Sequence, residues 1–139
     1  MCIRDSWQEN AAIEQAAYGN PAEARQSAAE GLKLAPTSQG VEVETALAFA
    51  MAGDAARAES LVQDLGKRFP LDTQMQSLWL PAIRAQLALN GDKKNPAAAL
   101  SALQAASPIE FGSIPFLSSV SCLYNVYTRG EAYLSLIHI

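Results

Sequence analysis

The sequence holds little of what enzymes most often use for chemistry. Its one histidine is His138, and its two cysteines are Cys2 and Cys122. Charged residues make up 17% of the chain and aromatic residues 7%. No apolar run approaches the roughly 18 residues that a membrane-spanning helix needs, because polar residues and prolines interrupt each one. The net charge of −4 lacks the basic surplus that binding nucleic acid by charge requires. Half of the 139 residues are hydrophobic, too many for a disordered tail and enough for one domain or a piece of one.

The two ends reduce the inventory further. Met1 to Ser6 back-translates, with permitted codons, to ATG TGT ATA AGA GAC AG. Leu134 to Ile139 back-translates to CTG TCT CTT ATA CAC AT, the reverse complement of the first string. The pair looks like a transposon end used as a sequencing adapter and read through on both sides. Residues 1–6 and 134–139 are therefore expected to be adapter-like scars outside the native fold, and the chain a fragment of a larger, metagenomic bacterial protein. His138 and Cys2 fall in those scars, which leaves Cys122 alone in the interior. An internal disulfide, a Cys/His metal site and a Ser-His-Asp or Cys-His nucleophile are all excluded there. The expectation is no catalytic residue, no cofactor and no metal.

What is present is a period. Tyr18-Gly19-Asn20-Pro21-Ala22-Glu23-Ala24 is matched by Ala52-Gly53-Asp54-Ala55-Ala56-Arg57-Ala58. Gly19 to Gly53, Ala24 to Ala58 and Pro36 to Pro70 are each 34 residues apart. A third copy at Asn90-Gly91 drifts to a spacing of 38 from Gly53. Recurrence of this kind marks stacked supersecondary units.

Between the landmarks the chain is rich in Ala, Leu, Glu, Gln and Arg, all good helix formers. Asn20-Pro21 and Asn95-Pro96 read as helix starts, with Glu23 placed for a capping box; Asp54 and either Asp72 or Thr73 read as further caps. Pro36 and Pro70 follow helix ends. The expected helices are 8–18, 21–34, 39–52, 55–68, 73–89, 96–106 and about 117–133. Pro81 should either kink the fifth helix or restart it. Ser107 to Pro115 reads as a loop that folds back through Ile109, Phe111, Ile114 and Phe116. Trp79 is expected in the core, with an exposed partner anchor as the alternative. Tyr124, Tyr127 and Tyr133 are expected to pack with their hydroxyls at the rim. Glu42 and Glu44 read as a solvated face, and Lys67 and Arg68 as solvated cations at a helix end.

The landmarks resemble the tetratricopeptide repeat. The second copy carries Ala46 at the small position, Phe49 at the aromatic one, Gly53-Asp54 at the turn, Ala58 in the second helix and Pro70 after it. The first copy has Ala12, Gly19, Ala24, Gly31 and Pro36, with Gln15 in the aromatic position; the third has Leu87, Gly91 and Ala99, with Arg84 in the small one. A fourth begins at Gly130 and Tyr133. The resemblance implies an all-α, right-handed solenoid of antiparallel helix pairs over 7–133, in units of about 8–36, 38–70, 73–108 and a truncated 117–133.

By the repeat register, a concave partner groove would be lined by Glu9, Ile13, Ala16, Val43, Leu47, Ala50, Ala85 and Ala88. Packing between repeats would rest on Ala24, Ala46, Phe49, Gly53, Ala58, Pro70, Ala99, Gly130 and Tyr133. The implied function is a non-catalytic protein–protein interaction scaffold that binds a protein or peptide, with no nucleic acid and no membrane insertion of this segment. Uncapped ends leave self-association open.

A narrower likeness runs through Gly66-Lys67-Arg68-Phe69-Pro70, Leu80-Pro81-Ala82-Ile83-Arg84 and Tyr127-Thr128-Arg129-Gly130-Glu131-Ala132-Tyr133. These are similar to the C-terminal repeat region of bacterial serine/threonine protein kinases of the eukaryotic-like class, notably from Acidobacteria. That alternative makes the chain a regulatory arm whose catalytic domain lies elsewhere, since it has no Gly-rich loop, His-Arg-Asp or Asp-Phe-Gly. The compartment is then cytoplasmic by default, or extracytoplasmic if the arm belongs to a membrane-anchored kinase.

Overall fold

A computed structural model describes residues 3–91, 94–111 and 124–137, with the side chains of 3–6 left out of the description. The described residues are all-helical and contain no strand. The chain divides into two units, Met1–Arg68 and Phe69–Ile139.

The first unit holds α1 (Ile3–Ala17), α2 (Pro21–Leu34), α3 (Gln39–Met51) and α4 (Ala55–Arg68). Consecutive helices pack together, and α1 also packs on α3. The two turns that close helix pairs are built alike. Gly19 and Gly53 take φ of 78° and 75°, the left-handed region that a side chain disfavours. The Asn20 N–H donates to the Gln15 carbonyl at 2.9 Å, and the Asp54 N–H to the Phe49 carbonyl at 2.8 Å. The Gly19 N–H reaches the Ala16 carbonyl and the Gly53 N–H the Ala50 carbonyl. Every one of these atoms recurs 34 residues on, so the sequence period is a period of hydrogen bonds that satisfy orphan helix-end carbonyls.

Small residues then let the helices approach. Ala24, Ala28, Ala46 and Ala58 are fully buried, with Phe49 and Leu65 filling the space beside them. Gly31 is also buried, and its α-carbon faces Val41 and Thr45 of α3 and Gln8 of α1. Pro70 is exposed.

In the second unit, the Asp72 carboxylate accepts the Met75 N–H at 2.9 Å and so caps the helix that follows. A π-helical turn, Met75–Trp79, runs directly into α5 (Leu80–Asn90). Pro81 lies in the first turn of α5, directly after the π-helical turn, so the helix starts again there as an α-helix. Proline has no N–H to donate and its ring crowds the preceding turn; here the turn widens, with the Leu80 N–H donating to the Met75 carbonyl five residues back. Trp79 is 4% exposed and belongs to the core. α6 (Pro96–Leu103) and α7 (Tyr124–Ile137) pack on α5 around Ala85, Leu89, Ala99, Leu103 and Ala132.

Several boundaries and contacts differ from the sequence expectation. Asn95 caps α6, accepting the Ala98 N–H at 2.9 Å, but the Asn20 side chain makes no cap and donates instead to Gln15 at 2.8 Å. The sixth helix stops at Leu103 and continues as turns through Phe111. The third turn departs from the first two, since Gly91 has φ of −68°. Phe111 is exposed; Ile114, Phe116 and the expected helical residues 117–123 lie outside the described residues. Tyr127 and Tyr133 are about half exposed, so they are not packed into the core. Gly130 is exposed, and a methyl group there would meet nothing. Ile3–Ser6 and Leu134–Ile137, within the adapter-like ends, continue α1 and α7 as helix.

Candidate partner surface and a buried acidic pair

The residues expected to line a groove are not an open surface. Glu9, Ile13, Val43, Leu47 and Ala50 are each at most 6% exposed, Ala85 is fully buried, and Ala16 and Ala88 are half-buried. An open concavity among the described residues lies on the outer side of α1. Trp7, Asn10, Ala11 and Glu14 line a shallow depression of about 450 Å³. Their spacing of three, one and three residues places them on one helix face. Trp7 is 74% exposed, an unusual position for the side chain most enriched at binding hot spots.

The same register one repeat later explains the shape. Adding 34 to the four numbers gives Val41, Glu44, Thr45 and Ala48, all buried. There the preceding helix pair covers the face, with Gly31 of α2 set against Val41 and Thr45. Sequence reading missed the α1 face because it weighed Trp79 and passed over Trp7; the repeat offset was the available signal.

Two glutamates of α3 are buried, on different sides of the helix. Glu42 is 5% exposed and pairs with Arg68, 2.5 Å from Nη2 to Oε2. Arg68 also holds Asp64 at 2.7 Å, so this exposed cation is engaged by two carboxylates. Glu44 is fully buried on α3, and neither carboxylate oxygen has a hydrogen-bond partner. Burial, and secondarily the neighbouring Glu9 carboxylate, push the Glu44 pKa up to about 8. The expectation of a solvated Glu42/Glu44 face is thus overturned. α3 is apolar nearly all round its circumference, which leaves it no solvent side on which to present a glutamate.

No group of three or more His, Cys, Asp or Glu side chains suited to a metal ion occurs among the described residues. No helix among them is long and apolar enough to cross a membrane. Comparison with family models, curated proteins and solved structures finds no match.

Proposed function

We propose that the chain is a non-catalytic protein-interaction scaffold of the tetratricopeptide type, and that its partner seats a helical hairpin on the outer face of α1. The observation that carries this reading is the pair of turns at Gly19 and Gly53, alike in backbone conformation and in hydrogen bonding at an offset of 34. The α1 face that carries the exposed Trp7 is the 34-residue counterpart of the α3 face that α2 covers at Gly31, so a helical hairpin fits it. The cover on the second copy is a helix pair that brings a glycine to the crossing point. The partner is accordingly expected to present glycine or alanine opposite Ala11, with an apolar contact to the Trp7 ring.

The test is selection from a displayed library of helical hairpins against the full chain, followed by binding to Trp7→Ala and Ala11→Arg. Both changes fall on the outer face and leave the buried alanines intact. The reading expects selected hairpins to carry a small residue at the crossing and to lose at least tenfold in affinity with either substitution. Failure to select any hairpin, or binding indifferent to both substitutions, would overturn it.

A further inference from the structure

We propose that Glu44 and Glu9 form a pH-sensitive joint: the first unit closes with Glu44 as the neutral acid, and loss of its proton loosens the contact between α1 and α3. This concerns the interior of the unit and is independent of any partner. Glu44 sits on α3 with no exposed surface and no hydrogen-bond partner on either oxygen. Glu9, 3% exposed, projects from α1, which packs on α3.

Among the described side chains, none on the packed helices supplies a compensating cation to Glu44. On α1, Glu14 is exposed at the outer face. On α2, Arg25 donates to the Ala52 carbonyl at 3.0 Å, Glu30 accepts from Gln26, and Glu23 and Lys33 are exposed. On α4, Arg57 lies over the Phe49 ring and pairs with Asp54, Arg68 is committed to Glu42 and Asp64, and Glu59 and Lys67 are exposed. The charge that acts on Glu44 is the Glu9 carboxylate, which opposes ionisation. The hydroxyl of Thr45 is turned to the Val41 and Glu42 carbonyls.

The direction of the effect follows. The unfolded chain releases the Glu44 proton near the ordinary value of 4.5, whereas the folded unit keeps it to about 8. Between those values the folded state holds the extra proton, so stability falls as pH rises and levels off above the upper value. The folding equilibrium constant should drop by up to about tenfold per pH unit inside that window.

The experiment is urea unfolding of the full chain from pH 4.5 to 9, beside Glu44→Gln and Glu9→Gln, with carbon-13 NMR titration of the glutamate carboxyls in the unmutated protein. Titrations common to the chain and its variants cancel in the difference between them. The expected results are a falling stability in the unmutated chain, a flattened profile in Glu44→Gln, and a window moved to lower pH in Glu9→Gln. One carboxyl resonance should titrate near pH 8. A Glu44→Gln profile parallel to that of the unmutated chain would overturn the proposal, as would a Glu9→Gln window that stays in place. Should Glu44→Gln fail to fold, the resonance and the Glu9→Gln window still decide the matter: all carboxyls titrating below pH 6 is the contrary result.

Discussion

Arg129 of α7 closes on Glu110 with both guanidinium branches, Nη1 to Oε1 at 2.7 Å and Nη2 to Oε2 at 2.8 Å. The fork ties the turns after α6 to the last helix, and Nη2 also reaches Ser107 Oγ at 3.3 Å. Glu110 is 3% exposed, so its charge depends on this one partner for compensation. Arg129→Leu strands that carboxylate and should cost about 2–4 kcal/mol in urea unfolding. Arg129→Lys keeps the charge but loses the two-pronged geometry, and should cost about 1 kcal/mol. No loss for Arg129→Lys would show that the fork contributes charge alone, and equal losses for the two variants would show that its geometry carries the whole effect.

Two glycines of the first unit should respond in opposite directions to the same change. Gly31 has ordinary helical geometry, and a methyl group there would sit 3.5 Å from the Thr45 methyl, a normal contact. Gly31→Ala should raise stability by about 0.5–1 kcal/mol through helix propensity. Gly53 has open space around it but φ of 75°. Gly53→Ala should therefore lower stability by about 1–2 kcal/mol through backbone strain alone. Thermal unfolding of the two single variants reads both signs.

The asparagines that precede Pro21 and Pro96 look equivalent in sequence and are not. Asn95 caps its helix and Asn20 does not. Asn95→Ala should cost about 1 kcal/mol, and Asn20→Ala no more than a few tenths. Chemical denaturation of both variants checks the contrast.

Much of the fold was legible because punctuation and propensity agree. Pro21, Gly19, Gly53 and Pro96 mark the helix ends that the structure shows, and α2 and α4 run over the expected residues, 21–34 and 55–68. The π-helical turn before Pro81 was not legible, since a proline in a helical pattern states the problem but not which way the backbone yields. Asn20 went astray because Gln15, five residues back, competes for its side chain.

The site was less legible than the fold. Glu42 and Glu44 face different sides of the helix and each reads as a solvated position, and only the apolar surround of Val41, Val43, Ala46 and Leu47 signals that both go inside. Trp7 lies in the first turns of α1, where a tryptophan carries no local sign of exposure. Its counterpart Val41, buried in the next copy, supplies the comparison.

The most direct test of the account is where a selected hairpin touches the chain. Chemical-shift mapping of the 139-residue chain with one such hairpin should move the Trp7 indole and the Ala11 methyl, with the Val43, Leu47 and Ala50 methyls unmoved. Shifts centred on Val43, Leu47 and Ala50, with Trp7 silent, would contradict it.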